Sequence, residues 1–135
     1  MQLCRLTERQ CEYTIANLPI HIEYAPRWTH RGLLVDTGRD YMSVAKIKSI
    51  IEALSWNKMS VFHWHITEMD SFPLVLESVQ QLAQSQSFSS QQVYTKADVS
   101  DIIAWGRLCG VRVVPEIDMP GHMTGKPRTF ISQAP

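Results

Sequence analysis

Cysteine is scarce in this sequence, where Cys4, Cys11 and Cys109 stand far apart along 135 residues. A disulfide framework or a zinc site needs more cysteines at regular spacing, so neither is predicted. Cys109 falls at the end of an apolar helical pattern, where burial as a small hydrophobic side chain explains it better than reactivity. Cysteine usage therefore does not decide the cellular compartment.

Net charge and long apolar runs are lacking as well. Lysines and arginines number 13 against 13 acids, which argues against nucleic acid as a partner because phosphate binding needs a basic surplus. The sequence has no apolar run of about 18 residues, so no membrane span is predicted. The opening residues, MQLCRLTERQCEYT, show no signal-peptide core. This is expected either of a protein that is not secreted or of one whose true amino terminus lies upstream.

Apolar residues make up 44% of the chain, enough for the core of one domain. An entry strand and linker are expected around Leu18–Tyr24, and a long loop from Thr67 to Tyr94. Three apolar runs predict strands, at Gly32–Asp36, Met59–Ile66 and Val111–Ile117. Two stretches with apolar residues at helical spacing predict helices, at 43–56 and 96–108.

Both predicted helices carry end signals. Ser43 and Thr95 suit the amino-terminal cap, and Thr95 with Asp98 forms the pattern of a capping box. Asn57 in the left-handed conformation and Gly110 are expected to end the helices. The resulting order of strand, helix, strand, helix, strand predicts an α/β fold with a parallel sheet. It suits the first three strands and two helices of an incomplete (β/α)8 TIM barrel, or a doubly wound sheet, and periodicity alone does not choose.

Polar residues cluster where each predicted strand ends, which is where both architectures gather functional groups. The clusters are Asp36, Thr37, Gly38, Arg39 and Asp40 after the first strand, His63, His65, Glu68 and Asp70 after the second, and Glu116, Asp118, Pro120, Gly121 and His122 after the third.

The histidines of the second cluster flank Trp64, so both imidazoles point to one face of the strand. An H-x-H pair also begins some zinc sites, but the sequence offers only weak further ligands. Structural hydrogen bonding is the favoured interpretation of His63 and His65, ahead of sugar contact and then metal binding. Arg31, at the strand entry, reads from spacing as structural, although a guanidinium also suits forked hydrogen bonds to vicinal hydroxyls.

The segment PEIDMPGH is the most specific in the chain. Glu116 and Asp118 lie two residues apart and share a face of the strand. Pro120–Gly121 predicts a turn that brings His122 back over the strand ends. A histidine with a carboxylate partner handles or orients protons near neutral pH, whereas the simpler interpretation is a turn that closes the strand.

Three ordered segments, HRGLLVDTGRDY, NKMSVFHWHIT…SFPLVL and YTKADVSDIIAWGRLCGVRVVPEIDMPGH, resemble glycoside hydrolase family 20, the β-N-acetylhexosaminidases. The likeness runs from about Leu18 to Gly125. It implies a (β/α)8 barrel, with residues 1–25 as the tail end of a preceding domain or linker and residues 26–135 as a partial catalytic domain.

The resemblance also implies a reaction. Enzymes of this family remove terminal non-reducing N-acetyl-D-hexosamine residues with retention of configuration, and the acetamido oxygen of the substrate attacks the anomeric carbon. Glycans ending in N-acetylglucosamine or N-acetylgalactosamine are the implied substrates, with no metal or other cofactor. A lysosomal or extracellular location and a dimer of the full-length protein are compatible with the family.

The family's catalytic Asp-Glu pair follows the fourth strand, downstream of Pro135. The chain by itself is therefore expected to hydrolyse no hexosaminide. Two alternatives stay open at this point, an inactive sugar-binding relative and a metal-dependent TIM-barrel hydrolase that uses His63 and His65.

Supporting roles carry over from the family by position. Arg31 matches an arginine that grips the sugar hydroxyls, and Asp118 matches a carboxylate that supports the acetamido-orienting aspartate. His122 matches the histidine of a relay that tunes the catalytic acid. Glu68 stands where the relay usually has an aspartate, which puts one more methylene into it. Asp36 and His65 are expected on the floor of the sugar site.

Overall fold

The computed structural model describes Pro19, His21 and residues 23–122. Its sheet contains three parallel strands in the order β1-β2-β3, namely β1 (Gly32–Asp36), β2 (Val61–His65) and β3 (Arg112–Glu116). The helices are α1 (Val44–Trp56), a 3-10 helix (Glu77–Val79), α2 (Gln80–Gln86) and α3 (Lys96–Leu108). The predicted α/β class, the parallel sheet and the principal elements are confirmed.

Helix ends follow the predicted signals with one exception. The Ser43 hydroxyl accepts from the Lys46 N–H, and Thr95 with Asp98 forms the full capping box at the start of α3. Gly110, at φ 70°, ends α3 as expected. The prediction for Asn57 was wrong, because Asn57 has φ −90° and Lys58 takes the left-handed conformation at φ 55°.

The stretch predicted as one long loop, Thr67 to Tyr94, contains the 3-10 helix and α2. Leu82 and Ala83 of α2 are buried, and their burial stabilises the helix. The surrounding glutamines and serines give the sequence no clear helical pattern. The entry strand predicted around Leu18–Tyr24 is not found, because none of its described residues, Pro19, His21, Glu23 and Tyr24, lies in a strand.

The two faces of β2 have different neighbours. Phe62 and Trp64 are fully buried in the core with the apolar residues of α1, Ile47, Ile51 and Leu54. Trp64 donates its indole N–H to Thr37 Oγ1 at 2.9 Å and packs edge-on against Tyr94 at 5.0 Å. The tryptophan thus ties β2 to the segment that follows β1, which is where the polar clusters begin.

The opposite face of the sheet, here called the open face, is uncovered in the described part of the chain. Strand alternation and the register place Leu34, His63 and Val114 side by side on it, and Leu34 is 52% exposed. No helix among the described residues is long and apolar enough to cross a membrane.

Candidate functional site

Three ionisable residues form a row at the carboxyl ends of the strands. The register pairs Asp36 of β1 with His65 of β2, and His65 with Glu116 of β3. Directly paired residues of parallel strands point to the same side of the sheet, about 4.8 Å apart between strands. The register therefore places an imidazole between two carboxylates on the open face.

Glu68 brings a third carboxylate to this row from the turn after β2. Its side chain is completely buried, and its oxygens lie 3.0 Å from His65 Nε2, 2.6 Å from His122 Nδ1 and 3.1 Å from Arg39 Nη2. Three basic side chains from three different segments thus converge on one carboxylate. The structure brings together the predicted residues Glu68, His65 and His122.

Arg39 is the residue whose importance the sequence analysis missed. Asp36 Oδ1 accepts the backbone N–H groups of Gly38 and Arg39 at 2.9 and 3.0 Å, which folds the chain back just after β1. The guanidinium then contacts Asp36 as well as Glu68. The spacing of Asp36 and Arg39 suits such a turn, but the link to Glu68 depends on a residue 29 positions further on.

The segment after β3 completes the site. Glu116 contacts His63 Nε2, and its Oε2 lies 3.3 Å from His65 Nδ1. His122 has φ 58°, the left-handed conformation that non-glycine residues rarely adopt. This backbone conformation turns the imidazole of His122 towards Glu68. The ring centroids of His65 and His122 lie 6.4 Å apart. The predicted return of His122 over the strand ends is confirmed.

Glu68 and Glu116 are held in the ionised form. Burial alone would raise the pKa of Glu68, but hydrogen bonds from His122, His65 and the Met69 N–H, with the charge of Arg39, lower that pKa to about 2. Burial likewise acts to raise the pKa of Glu116, and its contacts with Asp118, His65 and His63 outweigh this and lower it. Since an ionised carboxylate only accepts hydrogen bonds, His122 must donate from Nδ1 to Glu68.

The lowered pKa of Glu68 predicts acid sensitivity. A carboxyl group whose pKa is lower in the folded than in the unfolded chain stabilises the fold above its unfolded pKa, 4.5, and loses that effect as the pH falls through about 2. We expect the free energy of unfolding, measured with urea, to decrease between pH 4.5 and 2. In Glu68→Gln this part of the pH dependence should vanish. An equal decrease in the variant and the parent would contradict the prediction.

Two groups of side chains are compact enough to hold a cation, because the ligand atoms of each lie within 4.8 Å of one another. The first group is Asp36, His65 and Glu68, and the second is His65, Glu116 and Asp118. In the first group Arg39 already contacts both carboxylates, so its guanidinium occupies the place of the cation. In the second, His63 and His65 both approach the same oxygen of Glu116. Ion pairs within the protein explain both clusters.

Arg31 lies apart from this constellation. It directly precedes β1, and its guanidinium donates to the carbonyl oxygens of Lys58 at 2.7 Å and Trp28 at 2.6 Å. Asp36 is at the other end of the five-residue strand, roughly 15 Å away at the usual rise per residue. The structure therefore does not bring Arg31 and His122 together around one hollow, and the role of Arg31 in holding a sugar stays a prediction.

An apolar groove of about 490 Å³ lies elsewhere, between α3 and the segment after β2. Its lining includes Ile66, Leu76, Val99 and Ile117, and none of the histidines described above. The groove and the ionisable row are therefore separate features of the described structure.

The chain matches the family model described as glycosyl hydrolase family 20, catalytic domain, over residues 28–129. It is 44% identical over 110 residues to beta-hexosaminidase subunit B2 of Dictyostelium discoideum, which covers 82% of this chain and 19% of the relative. With human beta-hexosaminidase subunit beta, the identity is 44% over 98 residues, or 73% of this chain and 18% of the relative. The chain thus spans about a fifth of the length of these relatives.

Solved structures give the same picture. The chitobiase of Flavobacterium johnsoniae superposes with a TM-score of 0.73 and 31% identity, covering 79% of this chain and 16% of that one. The family 20 β-N-acetylhexosaminidase of Streptomyces coelicolor superposes with a TM-score of 0.68 and 33% identity, covering 75% of this chain and 22% of that one. Both the sequence and the arrangement of its elements are therefore shared with these proteins.

Proposed function

We propose, because this chain belongs to glycosyl hydrolase family 20, that it forms the first three strands of the (β/α)8 barrel of a β-N-acetylhexosaminidase. The uncovered open face supports this proposal, since the inside of a barrel is filled by side chains from all its strands. The strand order β1-β2-β3, with a helix before β2 and another before β3, is also what a barrel requires.

The proposed reaction is the removal of terminal N-acetyl-D-hexosamine residues from glycans, with retention of configuration and without a metal. The observation that carries it is the contact between Glu68 and His122, because this pair stands where the family has its proton relay. Glu68 is buried and ionised and fixes the proton of His122 on Nδ1. The Nε2 lone pair of His122 is then free to face the catalytic acid that the rest of the barrel supplies.

Asp36 and Asp118 are assigned supporting roles in the same site. Asp36 holds the turn after β1 and orients Arg39 towards Glu68. Asp118 lies beside Glu116 and His65 at the end of β3, a position suited to supporting a residue that orients the acetamido group. We propose that both act on the geometry of neighbouring side chains.

A chimaera tests the proposed function. Residues 28–129 of this chain would replace the matching segment of the Streptomyces coelicolor β-N-acetylhexosaminidase, which provides the remaining strands. Hydrolysis of an aryl N-acetyl-β-glucosaminide by this chimaera supports the proposal. A folded chimaera that binds N-acetylglucosamine without turnover would favour an inactive sugar-binding relative. The 135-residue chain alone is expected to show no turnover in the same assay.

Arg31 distinguishes a sugar contact from a structural one. If Arg31 holds sugar hydroxyls, Arg31→Ala in the chimaera should raise KM about tenfold and leave the urea midpoint unchanged, because one charged hydrogen bond is worth about 1.5 kcal/mol. If it only ties β1 to the carbonyls of Lys58 and Trp28, the midpoint should fall and KM stay constant. Arg107→Ala, which replaces an exposed arginine of α3 within the transferred segment, is the matched control.

The remaining proposals concern the whole protein. Residues 1–25 are proposed to be the tail of a preceding domain or linker, and residues 26–135 the opening part of the catalytic domain. A lysosomal or extracellular location follows from the family resemblance. Relatives that are named as subunits support assembly of the full-length protein into a dimer.

A further inference from the structure

His65 presents both of its ring nitrogens to carboxylates. Nε2 lies 3.0 Å from Glu68 Oε2, and Nδ1 lies 3.3 Å from Glu116 Oε2. The side chain is only 9% exposed, so water has little access to either contact. Each of the other two imidazoles in the site reaches a carboxylate through one nitrogen, Nε2 in His63 and Nδ1 in His122.

The number of protons on the His65 ring follows from these two contacts. A neutral imidazole has one N–H and one bare lone pair, whereas an ionised carboxylate only accepts. A proton on Nε2 would leave the lone pair of Nδ1 facing Glu116, and a proton on Nδ1 would leave the lone pair of Nε2 facing Glu68. Either neutral form thus sets a lone pair against a carboxylate oxygen where little water can screen it. An imidazolium presents an N–H group to each of the two carboxylates.

We propose that His65 is a fixed imidazolium at neutral pH, a cation held between Glu68 and Glu116 that does not exchange its proton during the reaction. The charged and titratable groups around it come from all three strands and the turns after them: Asp36, Arg39, His63, Glu68, Glu116, Asp118 and His122. Four of these groups are carboxylates. Arg39 supplies one fixed positive charge, and an imidazolium at position 65 supplies a second at the centre of the acids.

The balance of forces on His65 agrees with this charge. Burial acts to lower the pKa of His65, but the contacts with Glu68 and Glu116 and the negative charge of Asp36 outweigh it and raise that pKa. The buried Oε2 of Glu116 has no hydrogen-bond partner of good geometry among the described residues. A proton on His65 Nδ1 directs positive charge to this desolvated oxygen, which His63 Nε2 also approaches.

A fixed cation at position 65 assigns distinct tasks to the two histidines that contact Glu68. His65, with Arg39, keeps Glu68 ionised through Oε2, while Oε1 accepts the hydrogen bond from His122 Nδ1. His122, whose side chain is half exposed, is then the imidazole that meets the reacting groups. His65 is therefore a positioning residue. This role rests on the proposed function, whereas the positive charge of His65 is inferred without it.

Nuclear magnetic resonance of the 135-residue chain labelled with 15N-histidine tests the charge. The resonances of His65 are assigned from the spectrum of His65→Gln. We expect both ring nitrogens of His65 to carry protons at pH 7, and the titration midpoint of His65 to lie above that of the same histidine in the unfolded chain. The same chain in concentrated urea provides the unfolded reference. A bare ring nitrogen on His65 at pH 7 would overturn the proposal.

A pair of variants tests the cause of the charge. Glu116→Gln removes one of the two carboxylates, and we expect it to lower the titration midpoint of His65 by at least about one pH unit, a tenfold weaker affinity for the proton. Glu77→Gln, a surface glutamate paired with Lys96, should leave it unchanged. An unchanged midpoint in folded Glu116→Gln would overturn the proposal. If that variant does not fold, the spectrum of the parent decides alone. If the chimaera is inactive while His65 stays protonated, the assigned reaction fails and the fixed cation stands.

Discussion

Glu68→Gln is expected to reduce kcat of the chimaera about 100-fold with little change in KM. Glutamine keeps the shape of glutamate, but it lacks the charge that fixes the proton of His122 and balances Arg39. His122 would then no longer be held with its Nε2 lone pair towards the catalytic acid. Groups that manage a proton in the transition state contribute about 100-fold or more to the rate. Initial rates with an aryl N-acetyl-β-glucosaminide measure the effect.

Glu68→Asp is the matched variant for this prediction. It keeps the charge and installs the residue that the family resemblance places at this position, at the cost of one methylene. We expect kcat to stay within about tenfold of the parent. The loss in Glu68→Gln should also shift the pH dependence of kcat, since the group that holds the proton of His122 has changed. A Glu68→Gln chimaera with the parental kcat and pH profile would remove Glu68 from the relay.

Gly38→Ala is expected to destabilise the fold by about 3 kcal/mol, at the upper end of what overpacking usually costs. A Cβ atom at position 38 would come within 2.7 Å of the backbone nitrogen of Glu68, 2.8 Å of its Cβ and 2.9 Å of the carbonyl carbon of Thr67. Two of these three atoms are backbone, which cannot rotate away as a side chain can. The turn that carries Glu68 would have to move as a unit away from β1, and its contacts with Arg39 and His122 would lengthen.

Gly121→Ala is the control, because a Cβ atom there would meet no atom within 4 Å. Urea unfolding at pH 7 should therefore show a lower midpoint for Gly38→Ala and an unchanged midpoint for Gly121→Ala. Activity of the chimaera offers a second measure, since Gly38→Ala displaces the carboxylate that Glu68→Gln only neutralises. A midpoint equal to that of the parent would show that the turn after β2 adapts without cost.

Local sequence was a good guide wherever neighbours along the chain decide the structure. The capping box of Thr95 and Asp98 spans one helical turn, and the alternation around Trp64 follows from the pleat of a strand, so both could be predicted. The short helix α2 could not, because the burial of Leu82 and Ala83 depends on packing against distant segments. Asn57 and Lys58 illustrate the usual uncertainty of one residue at a helix end.

The amino-acid sequence by itself determined the strands, the helices α1 and α3 and the family, and it placed polar residues at the strand ends. Tertiary structure alone decided which of those residues meet. Arg39 reaches Glu68, and His122 returns to it across 54 positions, because β1, β2 and β3 lie side by side. Arg31 stays at the far end of β1 for the same reason. Periodicity fixes the direction of a side chain along one strand, whereas the register between strands fixes its partners, and this register arises only when the core packs.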